Sequence, residues 1–159
     1  MSYYDRTTTT HLDGSPIFKT DEDEQNEATI ASTIEESWGC KLHSFGRLSP
    51  IDWWAERDGR VVGVAELKSR SHSVGKYPTV FLNVRKWLAL ILAGNGMGVP
   101  ALFIVKWPDD ARWIHVGTVD ASMLRVGGCA RTVKSRSDVE PVIDVPIDAM
   151  ISLKQRAPA

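Results

Sequence analysis

The sequence predicts an α/β fold built around a mixed sheet, and three observations carry that expectation. A helical segment, several extended segments, a second helical segment and further extended ones follow one another along the chain. Residues 60–68 alternate in character as a strand does. The uncharged run from Trp87 to Val105 is as long as a membrane span, but Gly94, Gly96, Gly98 and Pro100 interrupt it. That run therefore reads as a buried helix, a turn and a buried strand, and no membrane partner is expected.

The elements follow in order. Residues 1–20, rich in Thr, Ser, Gly and Asp, are expected to form a flexible N-terminal segment. They lack the basic start and apolar stretch of a secretory signal. A helix begins at 21–23, where Asp21, Glu22 and Asp23 favour the positive end of the dipole, and it runs to Trp38 before Gly39. Residues 41–45 make a short strand. Two longer strands, 52–56 and 60–68, are joined by Arg57-Asp58-Gly59. Residues 79–82 are extended, and Asn83 is placed to cap a helix over 84–93 that Gly94 closes. Strands at 101–106 and 112–118 flank a turn at 108–110, and weaker ones follow at 129–134 and 142–145. These elements predict a single domain over 21–159, with its core at about 21–116 and a C-terminal extension over 117–159.

Composition narrows the function. With 159 residues, 43% of them apolar and 25% charged, the chain suits one buried core and excludes disordered or collagen-like classes. Two cysteines, Cys40 and Cys129, exclude a disulfide scaffold and fit the reducing cytoplasm, the expected location. The net charge of -1 excludes a polybasic tail protein. It also hides an asymmetry: residues 1–38 hold nine acids and two bases, whereas 39–159 hold eleven acids and seventeen bases. The body is mildly basic, which is compatible with a polyanionic partner.

The chemistry concentrates in 51–68. On the strand 60–68, Val62, Val64, Glu66 and Lys68 share one face, while Val61, Gly63, Ala65 and Leu67 share the other. Whether Asp52 joins Glu66 depends on the turn. A two-residue turn at Asp58-Gly59 pairs Asp52 with Ala65, on the wrong face. A three-residue loop with Gly59 left-handed pairs Glu56 with Arg60 and sets Asp52 across from Val64, on the right one. On the first helix, Glu27 shares a face with Ile30, Ala31, Ile34 and Trp38. It is either an acid held in a packing face by a cation or an acid at the start of the stripe that reaches solvent. Glu27, Asp52, Glu66 and Lys68 are the candidate catalytic residues. Two carboxylates and a backbone carbonyl make an oxygen site for a hard cation such as Mg²⁺, and an adjacent lysine suits metal-assisted phosphodiester hydrolysis.

Ser49-Pro50-Ile51-Asp52 followed by Ala65-Glu66-Leu67-Lys68 resembles the signature of the PD-(D/E)xK nuclease superfamily, with the proline one residue further from the acid than the name implies. Glu27, upstream on a helix, resembles the additional acid of archaeal Holliday-junction resolvases in that superfamily. The resemblance spans residues 21–116 and implies a restriction-endonuclease-like α-β-β-β-α-β core, a central mixed sheet flanked by helices. It further implies that Asp52, Glu66 and the Leu67 carbonyl bind Mg²⁺ (with Mn²⁺ able to substitute) and that Lys68 serves catalysis. A structure-selective or recombination- and repair-associated nuclease acting on double-stranded or branched DNA follows, encoded by a phage and working as a homodimer.

Candidate nucleic-acid contacts are Ser69, Arg70 and Lys76 in the loop after the motif, Lys86, and Arg131. Arg85 and Lys86 occupy the first turn of a helix, where cations oppose the dipole. Their placement points to an anion nearby, either DNA phosphate or Asp52 and Glu66 themselves. Gly94–Gly98 follows a helix and is therefore no phosphate loop. Trp38, Trp87 and Trp113 fall on apolar patterns and are expected in the core, whereas one of the adjacent Trp53 and Trp54 is expected to face outward. The rival to a nuclease is a non-catalytic nucleic-acid-binding or assembly protein on the same fold.

Overall fold

The computed structural model describes residues 21–46, 49–127 and 139–154. The expected flexible segment 1–20, the expected strand at 129–134 and Arg131 lie outside the described residues. The first helix, α1 (Asp21–Trp38), leads into β1 (Lys41–Ser44), β2 (Trp53–Arg57) and β3 (Arg60–Ser69). Then come β4 (Thr79–Asn83), α2 (Val84–Met97), β5 (Ala101–Lys106) and β6 (Ala111–His115), and finally β7 (Leu124–Val126), β8 (Pro141–Pro146) and β9 (Ile151–Ser152). The main sheet has the order β1-β2-β3-β5-β6-β9. It is mixed because β3 and β5 run parallel, joined by the crossover through α2, while its other pairs are antiparallel.

Alternation along β3 and β5 feeds two cores. Ala65 and Leu67 of β3 and Leu102 and Ile104 of β5 face Ile30, Ile34 and Trp38 of α1. Val64, Phe103 and Val105 face the other way, onto Leu90 of α2 and onto Val80, Leu82 and Val145. The i, i+4, i+8 spacing of Ile30, Ile34 and Trp38 on α1 is thus satisfied by burial against the sheet. Among the described residues no helix is long and apolar enough to cross a membrane.

Four local expectations are corrected. The β2–β3 turn has two residues, not three: Arg57 pairs with Arg60, and Asp58 (φ 52°) and Gly59 (φ 72°) both take positive φ, the tight hairpin that Asp-Gly favours. The helix α2 does not stop at Gly94 but continues to Met97, and Gly98 closes it in the left-handed region at φ 66°. Gly94 is instead buried, because the strand after the turn packs on its bare Cα. The expected strand over 112–118 ends at His115 and turns into a short 3₁₀ segment, Val116–Thr118. Outside the main sheet, β4 forms a second sheet with β7 and β8, of order β4-β8-β7, so much of the C-terminal extension is structured. Neither Trp53 nor Trp54 turns outward. Both are half-buried, since α1 covers one face of β2 and the other face meets the second core.

A Cβ on Gly94 would lie 3.0 Å from both the Ala101 Cβ and the Val99 carbonyl, whereas one on Gly96 meets nothing within 4 Å. Gly94→Val is expected to destabilise the fold by about 1–3 kcal/mol through overpacking. Gly96→Ala is expected to stabilise it by up to about 1 kcal/mol through helix propensity. Urea unfolding of the two variants checks both signs.

Candidate active site

The position of Asp52 is set by an irregularity in the hairpin. The tight turn alone would put Asp52 opposite Ala65. Between Ala55↔Gly63 and Glu56↔Val61, however, β3 carries one extra residue, Val62. This bulge shifts the remaining pairs by one, to Trp54↔Val64 and Trp53↔Ala65. The next residue along, Asp52, thereby comes opposite Glu66. Its backbone is tied down by the Phe45 N–H, which donates to the Asp52 carbonyl at 3.1 Å. Its carboxylate accepts the Leu67 N–H through Oδ2 at 3.2 Å. In a strand the N–H and C=O of one residue leave on the same side, so the Leu67 carbonyl is directed toward Asp52 as well.

One ammonium joins the two acids. Lys86, in the first turn of α2, donates from Nζ to Asp52 Oδ1 at 3.0 Å and to Glu66 Oε2 at 2.8 Å. All three side chains are mostly buried, with 18%, 19% and 13% of their surfaces exposed for Lys86, Asp52 and Glu66. Of the two anions offered for Lys86 by its place on the helix, the structure supplies Asp52 and Glu66. Arg85 beside it meets Glu140 at 3.7 Å. Asn83 precedes α2 but makes no side-chain cap; its amide donates to Glu140.

Two acids sharing one ammonium leave a surplus of negative charge in a poorly solvated place. Burial, and then the neighbouring Asp52 charge, push the Glu66 carboxyl up to about 8, against the opposing pull of Lys86. Burial by itself would lower Lys86, yet the two carboxylates outweigh it and hold the ammonium above its ordinary range. On the same face of β3, Lys68 donates to the Phe81 carbonyl at 3.1 Å and sits 3.7 Å from the centre of the Phe81 ring. Burial, helped by the charge of Arg70, brings its amine down to about 7. A fixed ammonium already stands where the oxygens of Asp52 and Glu66 converge, and the donors are all hard oxygens. Both facts fit a divalent cation of the Mg²⁺ type, which would match the charge of the two acids.

Glu27 is placed differently. It is half-buried on α1, whose apolar residues pack on the Ala65 and Leu67 face, across the sheet from Glu66 and Lys68. Among the described residues no group of three or more His, Cys, Asp or Glu side chains is close enough to hold one ion. The structure therefore gathers Asp52, Glu66, Lys68 and Lys86, and does not gather Glu27 with them.

Ser69 ends β3 at the exposed surface, opposite Lys106. The Arg70 N–H donates to the Lys106 carbonyl at 2.8 Å, and its guanidinium lies 4.7 Å from the Phe81 ring centre. Lys76 is exposed in the short 3₁₀ turn Val74–Lys76. Phe81, whose ring faces both Lys68 and Arg70, was not among the expected site residues. Its only signal was the extended run 79–82, which does not say what that run packs against.

Comparison with known proteins bears on the family and the fold. The family described as "Phage putative PDDEXK endonuclease" matches residues 14–153, nearly the whole chain. Among solved structures, the Hjc Holliday junction resolvase of Archaeoglobus fulgidus superposes with a TM-score of 0.54 at 16% identity, over 83% of this chain and 92% of that one. At that identity the likeness speaks for the fold, which is the restriction-endonuclease-like core. A search of curated proteins returned no match. A hairpin bulge that brings the motif's two acids face to face, a fold of the resolvase type and a family match over 14–153 converge on one assignment: the chain belongs to the phage PD-(D/E)xK endonuclease family.

Proposed function

We propose that this protein is a Mg²⁺-dependent deoxyribonuclease that hydrolyses phosphodiester bonds, with Asp52, Glu66 and the Leu67 carbonyl holding the ion and Lys68 beside it. The observation that carries this reading is the convergence of the Asp52 and Glu66 carboxylates on one cationic point, 3.0 and 2.8 Å away. The bound ion supplies Lewis acidity toward a phosphoryl oxygen and toward an attacking water. The chain's own residues supply the rest.

Lys68, with its amine held near 7, is partly neutral at physiological pH and takes a proton from the attacking water. In its charged form it steadies the negative charge that grows on the phosphoryl oxygens as the bond to the leaving sugar oxygen breaks. The Phe81 carbonyl orients it. Lys86 holds the two acids together in the ion-free chain and, once they are neutralised, presents its ammonium to the phosphate backbone. Ser69, Arg70 and Lys76 line the approach as further phosphate contacts, so binding weakens with salt. A branched or recombination-associated substrate is supported by the fold shared with a Holliday junction resolvase, and a homodimer would serve paired cuts. Glu27, on α1, is proposed as an accessory acid.

Cleavage of supercoiled and four-way-junction DNA with Mg²⁺ tests the reading. Asp52→Asn is expected to abolish cutting while still binding DNA, and Lys68→Ala to lose at least about a hundredfold. Wild type that binds without cutting would leave the non-catalytic alternative.

The site also predicts a pH signature in chelator-treated protein. Because folding raises the Glu66 carboxyl from 4.5 to about 8, the wild type pays no penalty at this group below pH 4.5. As pH climbs from there through about 8, folding must oppose its ionisation and stability is lost. Glu66→Gln lacks that loss. Its melting temperature should rise above that of wild type by several degrees between pH 5 and pH 9, and a constant gap would contradict the shift.

A further inference from the structure

Beside the catalytic face lies a cavity of about 340 Å³, lined by Arg70, His72, Tyr77, Phe81, Arg125 and Asp144 among others. It falls within the size range of small-ligand sites. We propose that this cavity receives the base of an unpaired DNA nucleotide, stacked on the Tyr77 ring, and so selects branched or frayed substrates for the proposed nuclease, a reading on which this inference rests.

Four features support it. Tyr77 leaves 51% of its surface exposed although it stands in a pinned segment. The Val74 N–H donates to Asp109 Oδ1 at 2.9 Å, Val74 packs on the core, and the Pro78 carbonyl accepts the Ile147 N–H at 3.0 Å. An exposed ring on an anchored segment is a ready stacking platform, since little ordering is left to be done on binding.

The platform is bordered by an ammonium, two guanidiniums and an imidazole. The Lys76 ammonium lies over the Tyr77 ring, 5.4 Å from its centre, and His72 makes a T-shaped contact with the ring at 5.0 Å. Arg70 and Arg125 line the cavity against one acid, Asp144. Asp144 takes both Nε and Nη2 of Arg125, which fixes the plane of that guanidinium.

The cavity also shares a wall with the reaction site. Phe81 lines it, and the Phe81 ring carries Lys68 at 3.7 Å and Arg70 at 4.7 Å. A nucleotide seated on Tyr77 therefore has its phosphate delivered toward Lys68. The half-buried Arg70 guanidinium lies over the Phe81 ring while the residue's backbone N–H is held by the Lys106 carbonyl, which suits it to a phosphate. Paired bases hide their faces in the helical stack, which restricts this seat to unpaired ones.

The test uses DNA with a single-stranded arm carrying 2-aminopurine next to the junction, and the same sequence as a blunt duplex, both in EDTA to prevent cutting. Wild type should quench the 2-aminopurine. Tyr77→Ala should abolish the quench and weaken armed DNA by about five- to a hundredfold with little change for the duplex, while Tyr77→Phe retains both signals. Equal loss on the two DNAs, or no loss, would overturn the inference. In either case Mg²⁺-dependent cleavage by wild type would leave the nuclease reading standing. Wild type that neither binds nor cuts DNA would remove both. Because Tyr77 is half exposed, an unchanged melting temperature for Tyr77→Ala verifies that folding is not the cause.

Discussion

The site depends on one cation held between two carboxylates. Lys86 reaches Asp52 and Glu66 from the first turn of α2, and those acids come from two different strands. A lysine in a first helical turn is poorly placed with respect to the helix dipole, and two buried acids side by side repel each other. Lys86 offsets only part of these costs, since the Glu66 carboxyl still stands at about 8, and the three groups hold one another and the surrounding backbone in register. Removing the ammonium would leave two buried carboxylates facing each other, which a divalent ion could relieve and water could not.

The same arrangement explains why the acids are mutually close at all. A strand pair alternates faces with period two, so one residue of slippage would put Asp52 on the α1 side of the sheet. The extra residue at Val62 supplies the correction for a tight Asp58-Gly59 turn. The bulge is thus part of the site, although it lies four residues from Glu66. The parallel pairing of β3 with β5, reached through α2, then delivers Lys86 over the same face.

Much of this was legible in the residues. The Asp52, Glu66, Lys68 spacing and the apolar stripe of α1 reflect periodicities that any helix or strand must obey, and the structure follows them. The face on which Asp52 stands was reached through a different turn, because Asp-Gly supports both a two-residue hairpin and a bulged loop, and a bulge inside β3 leaves no mark in composition. The length of α2 was missed for a related reason: Gly94 reads as a stop signal, yet its missing side chain is needed for the contact with Ala101 and Val99. Lys86 was recognised as needing an anion, but only the packing of α2 against β3 decides which one. Phe81 and the second sheet rest on pairings between segments some sixty residues apart, such as Phe81↔Asp144, which local patterns do not encode.

The proposed ion site has the oxygens of Asp52 and Glu66 meeting one divalent ion where Lys86 now donates. Calorimetric titration of the chelator-treated protein with Mn²⁺, in wild type, Asp52→Asn and Glu66→Gln, tests it directly. Wild type is expected to bind an ion, and both variants to lose that binding or weaken it greatly. Binding that is absent from wild type, or unaffected by either substitution, would contradict it.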